Sequence, residues 1–289
     1  MLAGLGLGLL LATLALTAQP ARAQAPGYTL PNTQVRVLPV TDQGRHYQLY
    51  VSLPGSYGTE PGKRYPVVYV TDGYWDFIKM VSIAGSLVYD RVAPEFIIVG
   101  IGYAGDNLDY GTLRRWELSP APLDSDAEGS GHAAEFLATI RTAIIPYVDA
   151  EYRTDPSYRV MAGLSMGGLF TLYAMLDSPD LFQAYVAATP YVTASNDWLF
   201  GFEEQRTRAG APPRGRLYMT VGGNESPDYV NGVIRFNQRL SSRRSPDFAY
   251  DFRIIEGERH SSAGIESYIR GLRFAFAPIA PETGPAPGP

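Results

Sequence analysis

The chain has 289 residues, enough for one large domain or two small ones, and its 45% hydrophobic and 18% charged residues describe a globular protein with a sizeable core. A net charge of −5 leaves no basic footprint for nucleic acid. With no cysteine, disulfides, thiolate metal sites, thiol nucleophiles and a lipobox are excluded, so a metal would depend on three histidines and carboxylates.

Residues 1–23 form an apolar run that ends at Pro20 and at Ala21-Arg22-Ala23, an A-x-A cleavage pattern. A run of about 18 apolar residues also suits a membrane anchor. Its glycines and small-residue end favour a signal peptide over stable membrane insertion, although no Lys or Arg precedes it. The mature chain is therefore expected to begin near Gln24 and to be periplasmic or secreted, with residues 24–280 as the folded domain. A cysteine-free chain tolerates that oxidising compartment.

Alternating residues at Gln34–Val40 and His46–Leu53 predict two antiparallel strands joined across Thr41-Asp42-Gln43-Gly44. Tyr65–Val70 and Phe96–Ile101 are continuous apolar runs, as in strands buried on both faces. A helix is expected between them. From here strand and helix alternate, which argues a mostly parallel sheet with right-handed crossovers. Asp106–Gly131 reads as a long polar loop that contains Arg114, Arg115 and Trp116; loops of about 25 residues usually carry function or are disordered. Within it, Asp124, Asp126 and Glu128 lack an EF-hand ligand pattern and read as a solvated loop, so no metal and no cofactor is expected.

Phe136, Leu137, Ile140, Ile144 and Val148 have the spacing of one buried helix face. Further strands are expected at Arg159–Ala162, Ala184–Ala188, Leu217–Val221 and Ala249–Ile255. A last helix follows over Ala263–Phe276, and residues 281–289 are a Pro/Gly-rich tail expected to be disordered.

Gly163-Leu164-Ser165-Met166-Gly167 stands between a predicted strand and a predicted helix. By chance Gly-x-Ser-x-Gly would occur about 0.2 times in such a chain, so context must carry the reading. A strand–turn–helix with Ser165 at its apex exposes a hydroxyl above a parallel sheet, and flanking glycines let strand and helix cross closely. A serine hydroxyl needs a neighbouring base. His46 belongs to the edge hairpin and His132 starts a helix. His260 follows the last strand, on the carboxyl edge where Ser165 emerges. The acid that orients it should fall between them in the chain. Glu225, across Gly222-Gly223 from its strand, fits first and Asp228 second. Oxyanion donors are expected from Met166 N–H and from the turn at Gly73 or Tyr74.

These blocks resemble the putative-esterase family that includes enterochelin esterases and esterase D, and most closely its periplasmic siderophore-esterase branch. The resemblance rests on Tyr65–Gly73, Ile98–Tyr103, Arg115–Pro120, Phe136–Tyr152, Gly163–Leu169, Val221–Glu225 and His260, in that order, across about residues 34 to 275. It implies the α/β-hydrolase fold and a Ser165, Glu225, His260 triad. It further implies that a loop arginine, matching Arg115 or its neighbour Arg114 beside Trp116, holds an anionic or carbonyl-rich substrate. Trp116-Glu117 stands where many relatives carry Arg-Asp. The expected reaction is hydrolysis of a small-molecule carboxylic ester such as an enterobactin-like trilactone. A feruloyl or acetyl ester, acyl transfer, and a binding protein on an inactive hydrolase scaffold are the alternatives.

Overall fold

The computed structural model describes residues 28–39, 45–124, 126, 128–243 and 245–281. The expected signal segment and the tail beyond residue 281 lie outside the described residues, as does the hairpin turn at 40–44. The chain divides into two units, Met1–Pro31 and Asn32–Pro289, and among the described residues every strand and helix belongs to the second.

Eight strands form one sheet: β1 (Thr33–Val37), β2 (Tyr47–Ser52), β3 (Tyr65–Val70), β4 (Ile97–Tyr103), β5 (Thr154–Leu164), β6 (Ala184–Ala188), β7 (Gly215–Gly222) and β8 (Phe248–Ile255). Their order is β1-β2-β4-β3-β5-β6-β7-β8. β1 and β2 pair antiparallel, β2 continues antiparallel onto β4, and every other pair is parallel. The expected hairpin is thus present, and its inner strand covers what would be an open edge of the parallel sheet.

Helices cover both faces. On one side, α1 (Gly73–Tyr89) and α8 (Ala263–Phe276) pack on the sheet and on each other. On the other lie α2 (Tyr110–Leu118), α3 (Ala133–Thr139) and α5 (Met166–Asp177), which contacts α6 (Ala194–Arg208). The apolar run of β3 explains why both faces are dry: Val67 and Tyr69 enter the core with Phe170 and Met161, while Val68 and Val70 enter the other with Phe77 and Tyr268. This is the α/β-hydrolase arrangement that the family resemblance implied.

The helix expected from Phe136 to Val148 is present as α3, a wider π turn at Ile140–Ile144, and α4 (Ile145–Glu151), with all five spaced apolar residues buried. Pro146 lacks an N–H, and its ring would meet the carbonyl one turn earlier, so the ladder widens ahead of it. The loop over 106–131 needs correction. Its first half folds as α2, started by Asp109, whose carboxylate accepts the Thr112 N–H at 3.0 Å. A helix of nine residues in a polar stretch leaves too short a period to read.

Candidate active site

Parallel strands place the loops that follow β3, β5, β6, β7 and β8 on one carboxyl edge, and each brings a polar residue there. After β5 the chain turns at Ser165 with φ 62° and ψ −117°, a region that non-glycine residues avoid. The turn is pinned on both sides of the serine. Ser165 N–H donates to Ala188 O at 3.0 Å, and Ser165 O accepts from Leu169 and Tyr191 N–H at 2.9 and 3.1 Å. A Cβ on Gly163 would collide with the Gly167 backbone and with Thr71 Oγ1, and one on Gly167 would strike the same hydroxyl. The two glycines are therefore demanded by the crossing of β5 and α5.

His260 Nδ1 lies 2.7 Å from Glu225 Oε2. A carboxylate only accepts, so Nδ1 carries the proton and Nε2 is left as the basic atom. Glu225 Oε1 accepts from the Gly222 N–H at 3.1 Å and from the hydroxyl of Thr189. The Glu225 side chain is 4% exposed, whereas that of His260 is 37% exposed, which suits an acid sealed behind an accessible imidazole. Asp228, the second candidate acid, lines a different cavity.

Ser165 and His260 line one cavity of about 370 Å³ with Asp72, Trp75, Lys79 and Arg114. Arg114 grips Asp72 bidentately, Nε to Oδ1 at 2.9 Å and Nη2 to Oδ2 at 2.7 Å. Burial alone would lower the Arg114 pKa, but the hydrogen bonds and charge of Asp72 outweigh it and the net shift is upward. Asp76 sits beneath them, bonded to Lys79 Nζ at 2.5 Å and Tyr268 OH at 2.8 Å. Burial pushes its carboxyl above the usual range despite the lysine.

Arg115 and Trp116 do not reach this cavity. Successive residues of α2 point about 100° apart. Arg115 accordingly turns to Asp126, 3.2 Å away, and Trp116 stacks on His132 with ring centroids 3.6 Å apart. His46 precedes β2, three strands from β5, and is absent from the cavity lining. Asp126 is thus an ion-pair partner of the loop arginine. Among the described residues, no group of three or more His, Asp or Glu is placed to hold a metal. A larger cavity of about 430 Å³ beside Arg253, Arg270 and Arg273 contains none of the candidate residues.

The expected oxyanion donors begin two helices at this edge. Met166 is the first residue of α5, and Gly73 and Tyr74 are the first two of α1. N–H groups of a first helical turn have no carbonyl one turn upstream. Trp75 and Asp76 N–H both turn back to Asp72 O, at 2.8 and 3.0 Å. Gly73 has a packing reason beyond the turn: a Cβ there would lie 2.6 Å from the carbonyl carbon of Gly100 in β4.

Three residues escaped the sequence reading. Asp72 directly precedes Gly73 in the Tyr65–Gly73 block, but as one aspartate at a turn it carries no signal of its own. Thr189, buried and held at φ 38°, has no local signal at all. Tyr229, on α7 (Pro227–Ser241), donates its hydroxyl to Thr189 O at 2.8 Å and sets its ring edge against His260, centroids 5.3 Å apart. Burial raises the Tyr229 hydroxyl pKa and the charge of Glu225 adds to this, while hydrogen bonds with Ser165 and Thr189 oppose it.

The model of the Putative esterase family matches residues 41–281. The chain belongs to that family. It is an esterase, a hydrolase of ester bonds. It is 24% identical over 270 residues to the ferri-bacillibactin esterase BesA of Bacillus subtilis (strain 168), covering 88% of this chain and 93% of the relative. It is 30% identical over 168 residues to the siderophore triacetylfusarinine C esterase of Aspergillus fumigatus, 56% of this chain and 57% of the relative. The crystal structure of the BES protein from Bacillus cereus superposes with a TM-score of 0.79 at 25% identity, covering 88% of the esterase and 99% of that chain. Among the described residues, no helix of the esterase is long and apolar enough to cross a membrane.

Proposed function

We propose that the esterase hydrolyses a siderophore ester through an acyl-enzyme on Ser165. The observation that carries the reading is the 2.7 Å contact of His260 Nδ1 with the sealed carboxylate of Glu225, at a cavity that Ser165 and His260 share. His260 Nε2 takes the proton of Ser165 Oγ as the oxygen attacks the ester carbonyl, and Glu225 stabilises the resulting imidazolium. The tetrahedral oxyanion is met by Met166 N–H and by Gly73 or Tyr74 N–H, a contribution of about 10²–10³ in rate per donor. As the C–O bond breaks, the imidazolium returns its proton to the leaving alkoxide. Water then repeats the attack on the acyl-serine, with His260 again as base.

That the Bacillus subtilis relative is a ferri-bacillibactin esterase supports a siderophore ester, iron-loaded or iron-free, as substrate. Arg114, the cavity's guanidinium, is the residue of the predicted trio assigned to substrate carbonyl or phenolate oxygens. Such a substrate fits a protein exported by the apolar leader of residues 1–23 to the periplasm or beyond.

The test is release of p-nitrophenol from acetate and butyrate esters by wild type and Ser165→Ala. Loss of turnover in the variant is expected; equal rates would remove Ser165 as nucleophile. Enterobactin linearisation, followed by chromatography, tests the substrate, and an intact ring at micromolar enzyme would reject it.

A further inference from the structure

Beside the catalytic cleft lies a second cavity, of about 450 Å³, between the start of α6 and the start of α7. We propose that it is a subsite for a neutral, hydroxyl-bearing ring of the substrate, stacked against Tyr191. The proposal rests on ester hydrolysis at Ser165 and names what occupies the space next to it.

Its wall is aromatic and is tied to the catalytic residues. The rings of Tyr191 and Tyr229 are nearly parallel, 14° apart with centroids separated by 5.9 Å. Tyr229 meets His260 edge-on at 88°, and the Tyr191 N–H donates to Ser165 O at 3.1 Å. One wall therefore borders the imidazole on one side and the cavity on the other. Tyr191 is 37% exposed, so its ring offers a flat surface to a ligand.

The remaining lining decides which ring. Asp197 is engaged bidentately by Arg235, at 2.9 and 3.1 Å, and these two charges cancel. Asp228 is the remaining charged residue of the lining and leaves the cavity net negative. Carboxylate oxygens accept and do not donate, so they suit ligand O–H groups and repel a carboxylate or phosphate. A phenolic ring and a sugar ring share this chemistry.

The cavity is also built under strain. Ser195, Asn196 and Asp197 occupy left-handed backbone in succession, at φ 53°, 54° and 59°. Side chains disfavour this backbone region, and such outliers concentrate at functional sites. The segment is held by Ser195 Oγ to Ala121 O at 3.1 Å, Asn196 Nδ2 to Asp124 Oδ1 at 3.2 Å and the Asp197 N–H to Thr193 O at 3.4 Å, besides the Arg235 pair. The result brings Asp197 to Arg235 at the cavity.

The experiment is calorimetric titration of the full chain with catechol, with methyl glucoside and with salicylate. At least one neutral ring should bind wild type, more tightly than salicylate. Tyr191→Ala should weaken that binding about tenfold, the worth of one aromatic stacking contact, and Tyr191→Phe should retain it. Asp228→Lys, independent of the aromatic wall, should invert the preference toward salicylate. Catechol binding assigns a phenolic unit and glucoside binding a sugar. Failure of both neutral rings to bind, equal binding by wild type and Tyr191→Ala, or unchanged charge preference in Asp228→Lys overturns the subsite. Turnover of p-nitrophenyl acetate by wild type is scored separately, and its absence would reject the hydrolytic reading without altering the titrations.

Discussion

The hydroxyl of Thr189 donates to Oε1 of Glu225, while Oε2 of the same carboxylate receives His260 Nδ1 at 2.7 Å. Thr189 is itself clamped. Its N–H reaches Thr220 Oγ1 at 3.3 Å, its carbonyl accepts Tyr229 OH at 2.8 Å, and Thr220 Oγ1 lies 2.8 Å from Ser267 Oγ. Its neighbour Ala188 accepts the Ser165 N–H. The end of β6 thus ties the strand that precedes Ser165 to the loop of Glu225.

Thr189→Val removes a hydrogen bond to a charged group, worth about 1.5–3 kcal/mol, and leaves the shape nearly unchanged. The expected outcome is a fall in kcat of about tenfold or more with KM retained, and recovery in Thr189→Ser. In a Glu225→Ala background the valine substitution should cost nothing further, since its target is gone. Additive losses in that cycle would mean that Thr189 acts only on folding.

In the proposed mechanism Glu225 orients and stabilises, whereas His260 moves the proton. In an analogous triad the base costs about 10⁶ and the acid about 10⁴ in kcat when removed. Glu225→Gln is therefore expected to lose less activity toward p-nitrophenyl acetate than His260→Ala. The reverse order, in matched steady-state assays, would contradict this division of roles.

How much of this was legible in the sequence depends on how local each cause is. Gly163, Ser165 and Gly167 answer to a single strand–helix crossing, and five residues suffice to record it. Glu225 and His260 could be placed because parallel strands deliver their following loops to one edge. Arg114 could not be separated from Arg115, because their difference is one step of helical phase in a helix that the polar composition hides. Thr189 is the opposite case from Ser165. Its role arises where β5, β6, β7 and α7 converge, and nothing in Ala187-Ala188-Thr189-Pro190 records that. α7 left a trace that was missed: Ser226-Pro227 at its start and buried Val233, Phe236 and Leu240 at helical spacing behind it.

Gly167→Ala places a methyl against the buried Thr71 hydroxyl, between the start of α5 and the end of β3. The Thr71 backbone cannot easily retreat, because its N–H is bonded to Ala162 O at 3.1 Å. The variant is expected to lose about 3 kcal/mol or more of stability and most turnover together. Thermal unfolding and p-nitrophenyl acetate assays check it, and the companion Thr71→Ala should restore part of both by vacating the space.

Glu117, at the inner end of α2, gives the stability of the esterase a pH dependence of its own. Its carboxyl is 2% exposed and is held by Tyr47 OH at 2.5 Å, with Arg45 Nε at 3.7 Å and Tyr103 also facing it. Burial raises its pKa from 4.5 to about 7, against the opposing pull of Tyr47, Arg45 and Tyr103. In the unfolded chain the same group ionises near its ordinary value, so between these pH values the folded state binds the extra proton. The contribution is fully present below about pH 4.5 and is lost as pH rises through about 7, a span of about 3 kcal/mol. Thermal unfolding measured from pH 4.5 to 8 should therefore fall with pH in wild type across this window. Glu117→Gln, which keeps the size and stays neutral, should flatten that slope and gain on wild type at pH 8. A slope of equal size in both proteins would place the proton elsewhere.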